Sequence, residues 1–306
     1  MTELGGGGAS SAPPPAPAHD VGRRERLELY SSRVPFQLKL AAVWVVIFAV
    51  FATLFAAAGF DTVWMRDHAR FIAGGLQWTA IIAVASIILA CVLALFGALG
   101  RLSRNAIAVG VASFYTSFFR GTPLIVQLFL IYLALPQIGI GLGSPWDDWL
   151  TLDVFTAGII ALGLNYGAYM TEIFRAGIQA VGHGQSEAAE ALGMTYAQKM
   201  RRVVLPQATR VIIPPTGNEF IAMLKDTALI SLLGASIDQM EIFRRAQLAG
   251  RADFRYLEAL LIAALMYWAL TTVFQFLQLR LERRLSKGYV RGTAGVAVAG
   301  ERKART

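Results

Sequence analysis

The amino-acid sequence predicts an all-α integral membrane protein with six transmembrane helices. Three observations lead there. The 306 residues are 56% hydrophobic and only 16% charged, whereas soluble chains hold about 45–50% apolar and about 25% charged residues. Mean hydropathy is +0.52. Two runs of nineteen residues, 40–58 and 81–99, carry one polar side chain each, Thr53 and Ser86. About twenty such residues span a hydrocarbon core of roughly 30 Å.

The chain opens with Gly/Ala/Pro low complexity over residues 1–18. Such a composition cannot build a packed core and is expected to be disordered. It also lacks the basic-then-apolar layout of a cleaved signal peptide, so the first apolar run reads as a retained helix. Residues 1–38 form a disordered, then basic tail, 39–285 the transmembrane domain and 286–306 a second basic tail. After the two clean runs come four mixed ones, at about 110–135, 154–181, 211–233 and 256–279. Lys and Arg set the orientation. With the N-terminus inside, the inner segments 1–39, 100–109, 182–210 and 280–306 hold nineteen of them, and the outer segments 59–71, 136–153 and 234–255 hold six. Both termini are therefore expected in the cytoplasm. The net charge of +8 reports topology. No basic-aromatic soluble face suggests nucleic acid as a partner.

The inner segment 182–210 looks soluble. Ser186 is a candidate N-cap, with Glu187 in the first turn, where negative charge suits the helix dipole. Gly193 can take the left-handed conformation that ends such a helix. Thr195 and Gln198 have the spacing of a capping box for a second helix. Tyr196, Met200, Val203 and Val204 give that helix one apolar face, and Pro206 marks its stop. These signals alone describe an interfacial helix-turn-helix or a docking element for a cytoplasmic partner.

The motif Glu187-Ala188-Ala189, then Gly193, then Val203-x-Leu205-Pro206 resembles the cytoplasmic loop signature of ABC importer permeases, with Val203 where Ile is usual. Around it, "FRGTPLIVQLFLIYLALP" (119–136), "NYGAYMTEIFRAGIQAV" (165–181), "VLPQATRVIIPP" (204–215) and "NEFIAMLKDTALIS" (218–231) resemble the polar amino-acid branch of that family. The resemblance covers roughly 72–285. It implies a five-helix permease core, to which the first helix is an addition. It further implies a cytoplasmic coupling helix within 182–206, with Glu187, Ala188, Ala189, Gly193, Leu205 and Pro206 as ATPase-coupling residues. The implied partners are a dimer of ABC ATPase subunits, a second permease subunit, an extracytoplasmic solute-binding protein, an amino-acid substrate and the lipid of the cell inner membrane. The chain contains no G-x-x-x-x-G-K-[ST] run, so ATP and Mg are expected to be used by the partner ATPase, with no cofactor on this chain.

Run 211–233 carries Asn218, Glu219, Lys225 and Asp226 beside Pro214, Pro215 and Gly217. At 1.5 Å per residue from the inner face, Glu219 lies roughly 12 Å and Lys225 roughly 21 Å deep. Charges there must face protein or water. The proline pair and Gly217 should break or kink the helix. Two readings stand: Asn218, Glu219, Lys225 and Asp226 line a substrate path, or Lys225 and the acids pair to hold helices together. Gln127 either lines the path or bonds a neighbouring helix. Arg120, near the inner interface, is expected to snorkel. Glu172 and Arg175 can pair at i,i+3, and Gly163 and Gly167 form a small-xxx-small packing step.

The outer segment 234–255 is charged, with Arg244, Arg245, Arg251 and Arg255 beside Asp238, Glu241 and Asp253. It is either a solvated surface or a contact for the binding protein. An ion-coupled secondary transporter using Glu219, Lys225 and Asp226 as a relay is the alternative class, but such carriers show paired broken helices in repeated halves, and only one strongly interrupted run is present. An intramembrane enzyme is disfavoured, since His19, His68 and His183 all lie outside the runs and no metal cluster or activated nucleophile is evident.

Overall fold

A computed structural model describes residues 35–234 and 239–285, and every regular element among them is a helix. The expected tails over 1–34 and 286–306 lie outside the described residues. The chain divides into two compact units at Phe60/Asp61. The first contains α1 (Phe36–Ala57), which starts four residues before the expected run because Phe36 and Leu38 extend its apolar composition. Its only polar side chain past Lys39, Thr53, returns its hydroxyl to the Ala49 carbonyl four residues back, which removes an unpaired donor from an apolar helix.

The second unit contains α2 (Thr62–Ala73), α3 (Leu76–Arg101), α4 (Ala106–Gly121), α5 (Leu124–Leu142), the short α6 (Trp146–Leu150), α7 (Val154–Gln179), α8 (His183–Ala191), α9 (Tyr196–Lys199), a π turn (Met200–Val204), α10 (Leu205–Asp226), a 3-10 segment (Thr227–Leu233), α11 (Ile242–Ala252) and α12 (Tyr256–Leu285). Helix α7 is the packing centre. Its small residues Ala157, Ala161, Gly163, Gly167 and Ala168 are buried against α3 and α10. A Cβ on Gly163 would meet Leu89 at 2.5 Å, and one on Gly167 would meet the Tyr115 hydroxyl at 2.6 Å. The expected small-xxx-small step is thus a real close approach, the contact that holds helices together where lipid removes the hydrophobic driving force.

Five helices among the described residues are long and apolar enough to cross a membrane: Phe36–Ala57, the joined Thr62–Arg101, Leu124–Leu142, Val154–Gln179 and Tyr256–Leu285. Two sequence expectations need correction. The run at about 110–135 is two helices, because Thr122 and Pro123 are extended and end α4 before α5 begins. Pro123 has no N–H, so the Phe119 carbonyl loses its normal partner four residues on. The run 211–233 belongs to α10, which holds Arg210, Glu219, Lys225 and Asp226 within 22 residues and falls outside the five. Finally, α10 passes through Pro214 and Pro215 as continuous α-helix instead of breaking there. Gln278 of α12 packs beside this stretch, donating to the Pro214 carbonyl at 3.0 Å and to Asn218 Oδ1 at 2.9 Å.

Candidate functional site

The 182–210 segment is folded by its own hydrogen bonds. Helix α8 begins at His183 after Gly182, so Ser186 is not its N-cap and Glu187 lies in its second turn. Both expectations fail because the helix starts four residues earlier. Its end follows the sequence reading. Gly193 has φ +74, its N–H donates to Glu190 O at 2.9 Å, and Met194 N–H donates to Ala189 O at 3.1 Å. That pair of bonds is a Schellman cap. Thr195 then accepts from Gln198 N–H while Gln198 Oε1 accepts from Thr195 N–H at 3.0 Å, completing the capping box. Lys199 crosses the turn to pair with Glu190 and lies over the Tyr196 ring. This pairing holds the Glu190 carboxyl below its usual range, mainly through the hydrogen bond from Lys199.

Pro206 does not stop the second helix, a further correction. It sits in the first turn of α10, so the chain from Tyr196 to Asp226 is helical throughout. Because Pro206 brings no N–H and its ring crowds the carbonyl four residues back, the preceding turn widens to π geometry, with Leu205 N–H reaching Met200 O. The widened turn also splits the expected apolar face. Tyr196 is 70% exposed while Val204 is 4% exposed. Of the six coupling candidates, Ala189 is buried, Leu205 is half-buried, and Glu187, Ala188, Gly193 and Pro206 are exposed. Two exposed apolar side chains, Leu192 and Tyr196, join them at the turn. Sequence reasoning passed over Leu192, although a large apolar residue just before a turn glycine in a charged stretch is a detectable signal.

The membrane-depth candidates separate into two groups. Gln127 is 2% exposed, and its Nε2 donates to Phe119 O at 2.8 Å and to Thr122 O and Oγ1 at 3.0 and 2.7 Å. Asn165 Nδ2 donates to Phe119 O and to Gln127 Oε1, both at 3.1 Å. These two amides satisfy the carbonyl that Pro123 orphans, the requirement any broken helix meets in lipid. On α10, Glu219 and Asp226 share a half-buried face, and Asn218 and Lys225 share an exposed one. Tyr166, 5% exposed, donates to Asp226 Oδ2 at 2.8 Å. Lys225 has no hydrogen-bond or ion-pair partner among the described residues. The ion-pair reading of Lys225 with Glu219 or Asp226 thus finds no pair. Near the inner end, by contrast, Glu172 meets Arg175 Nε at 2.8 Å and Arg101 Nε at 3.5 Å. Arg120 lies over the Tyr169 ring.

At the other end of the bundle α11 is amphipathic, with Ile242, Ala246, Ala249 and Gly250 buried. Gly75 permits this packing, since a Cβ there would stand 2.5 Å from Ile242 N. Glu241 is not on a solvated surface. It is 1% exposed and accepts from Phe243 N–H, Arg244 N–H and the Tyr267 hydroxyl at 2.6, 2.5 and 2.5 Å. Burial pushes its carboxyl up to about 7. A run of charges hid it in the sequence.

Residues 90–287 match the family described as binding-protein-dependent transport system inner membrane component. The arginine transport system permease protein ArtQ of Bacillus subtilis is 41% identical over 215 residues, 70% of this chain and 92% of that protein. The probable amino-acid ABC transporter permease protein PatM of Vibrio harveyi is 39% identical over 233 residues, 76% of this chain and all of that protein. A crystal structure of an amino acid ABC transporter with histidines aligns at TM-score 0.65 and 40% identity, covering 74% of this chain and 99% of that one. The inward-facing MetNI methionine ABC transporter aligns at TM-score 0.54 with 17% identity and so shares the fold. The family match, the interrupted helices and the protruding inner loop agree, and the chain belongs to the binding-protein-dependent transport system inner membrane components, the membrane-embedded permease subunits of ABC importers.

Proposed function

We propose that this chain is a permease subunit that imports polar amino acids across the cell inner membrane with energy from a separate pair of ATPase subunits. The amino-acid class follows the relatives, whose names specify arginine and amino-acid transport. The observation that carries the coupling role is the 183–204 loop. It is rigid through internal caps, yet directs Glu187, Leu192 and Tyr196 away from the bundle. Apolar side chains in such a setting suit a partner's groove, and Glu187 suits a cation on its rim. In this reading α10 is the sixth span, both termini are cytoplasmic, ATP and Mg stay on the ATPase, and a solute-binding protein delivers substrate to the opposite face.

A second permease subunit completes the solute path. Lys225 and Asn218 are exposed on α10, and an exposed ammonium at membrane depth must face water or protein. Asn218, Glu219, Lys225 and Asp226 line the path in this arrangement. Gln127 holds the wall of the path in shape through the α4–α5 break.

The test uses the permease–ATPase complex in proteoliposomes with its binding protein. Glu187→Lys and Gly193→Glu should insert normally and abolish substrate-stimulated ATP hydrolysis. Normal stimulation in both would overturn the coupling role.

A further inference from the structure

Helices α10 and α12 run antiparallel, and a groove of about 380 Å³ lies between them. Phe220 meets Phe274, with ring centroids 5.1 Å apart, and Gln278 meets Pro214 and Asn218. Ile213, Phe220, Phe274, Leu277 and Leu281 form the apolar walls. Leu277 and Leu281 are 51% and 45% exposed, so one side of the groove stands open. Part-way along it, Thr216 Oγ1 and Gln278 Oε1 are buried with no hydrogen-bond partner among the described residues. Buried polar atoms are nearly always partnered, so such orphans point to a missing ligand, ion or water. Glu282, the acid in the lining, is already bonded to Gln278 Nε2 at 2.9 Å.

The groove differs between its two ends. Its walls repeat at 213, 217 and 220 on α10 and at 274, 277 and 281 on α12, the spacing of one helix face. One turn further toward the same end, those faces carry Arg210 and Arg284. Both are exposed, and neither forms an ion pair among the described residues. Arg210 precedes Thr216 by six residues and Arg284 follows Gln278 by six, so each lies about 9 Å along its helix from the orphaned atoms. Arg280 flanks them, over the Phe276 ring. Positive residues collect on the inner side of membrane proteins in general. That rule does not place two of them at one level on the facing sides of two helices. An apolar trough, unpartnered polar atoms part-way along and paired cations at one end match the order of parts in an anionic phospholipid, the class of lipid that basic pockets between helices bind at the cytoplasmic face.

We propose that this groove is an inner-leaflet site for an anionic phospholipid. The phosphate sits between Arg210 and Arg284, the Thr216 hydroxyl donates to an ester carbonyl, and an acyl chain lies along Phe220, Phe274 and Leu277. A lipid held this way ties α10, which carries Lys225, to α12. The inference rests on the reading that α10 spans the membrane with both termini cytoplasmic, which puts the arginine end of the groove at the inner leaflet.

The experiment titrates the detergent-solubilised permease–ATPase complex with phosphatidylglycerol or phosphatidylcholine and reads the first lipid bound by native mass spectrometry. Phosphatidylglycerol should bind at least fivefold more tightly. Arg210→Gln/Arg284→Gln should bring the two lipids within twofold of each other. Arg201→Gln/Arg202→Gln, which removes the same charge from the exposed turn before α10, should keep the preference. Thr216→Val should weaken both lipids alike, since both carry the ester. Equal binding of the two lipids by wild type, an equal loss of preference in the two double variants, or displacement by equimolar inorganic phosphate would overturn the proposal. Dissociation of the permease pair in Arg210→Gln/Arg284→Gln with the preference retained would also overturn it and assign the groove to a second copy of the chain. Arg283→Cys in a Cys91→Ala background reports the side of the membrane. Labelling by an impermeant maleimide in intact cells would defeat the topology, whereas protection there together with equal lipid binding would defeat the groove alone.

Discussion

Helices α7 and α10 are both long and both carry charged side chains, and they treat them differently. In α7, Glu172 pairs with Arg175 and Arg101, and the helix is otherwise built of small residues in close contact. In α10, Asp226 has Tyr166, but Lys225 is exposed and without an ion pair among the described residues. One helix has closed its account within the subunit; the other presents chemistry outward. The lesson is a difference in packing: α7 pairs its charges within the subunit, and α10 leaves Asn218 and Lys225 exposed.

The strongest break of that comparison is steric. Gly163→Leu would drive a side chain into Leu89, already 2.5 Å from a bare Cβ. Overpacking of a close contact costs about 1–3 kcal/mol, occasionally more, and here the added side chain would meet Leu89 as far in as its Cβ. The variant should lose its monodisperse peak in detergent and melt well below wild type. Gly217→Ala on α10 should be milder, because its Cβ would meet the end of the flexible Gln278 side chain. Equal melting temperatures for the two variants would show that α7 is not the tighter packing surface.

A second test reads charge in place of volume. Glu172→Gln leaves Arg101 and Arg175 without their acid, which should cost about 1–3 kcal/mol and lower yield. Lys225→Met should leave yield and melting temperature near wild type and reduce uptake at least tenfold, about 1.4 kcal/mol of transition free energy. Lys225→Met that failed to accumulate in the membrane, with its transport per molecule unchanged, would make Lys225 structural and erase the contrast with α7.

The sequence conveyed the helical class, the clean runs, the Glu172–Arg175 pair and the caps at Gly193 and Thr195, because each depends on residues within four positions of one another. It misplaced what depends on a distant partner. The proline pair in α10 reads as a break, but the helix runs on through it, packed beside Gln278 of α12, a neighbour sixty-three residues after Pro215. Gln127 reads as a path residue or a helix bond, and Asn165 with the orphaned Phe119 carbonyl shows its hydrogen-bonded setting. Pro206 reads as a stop because a local rule has no term for a π turn that absorbs it. Glu241 reads as surface charge because four arginines follow it within fourteen residues, while its contacts come from α3 and α12.

Glu241 stands between the two helices in kind: satisfied like Glu172, yet set at a cavity. Its unfolded carboxyl titrates near 4.5, and burial, ahead of the lowering hydrogen bonds from Tyr267, Phe243 and Arg244, raises it to about 7 in the folded protein. A raised carboxyl holds its proton longer when folded, so this group's contribution is full below about 4.5 and is lost as pH rises through about 7. Besides Tyr267 and Arg244, the facing groups are Asp153 across the cavity and the neutral Thr79 and Thr227. Melting temperature should therefore fall by a few degrees between pH 5 and 8 in wild type, and Glu241→Gln should flatten that slope. An unchanged slope would place the titration elsewhere.

The smallest effect is expected in the 183–204 loop, where exposure rules. The Lys199–Glu190 pair bridges the turn, but the Glu190 side chain is 60% exposed, and exposed ion pairs are screened and weak. The shape of the turn comes instead from backbone: φ +74 at Gly193, the Schellman bonds and the Thr195–Gln198 box. A Cβ on Gly193 would meet no atom within 4 Å, so a side chain there is opposed by backbone strain and by an arriving partner, not by this chain. Glu190→Gln should thus keep substrate-stimulated ATP hydrolysis within twofold of wild type, at all salt concentrations, whereas Gly193→Ala should already lower it. If Glu190→Gln were the more damaging of the two, the ion pair would be setting the geometry of the turn, and the loop would belong with α7 as a charge-paired scaffold.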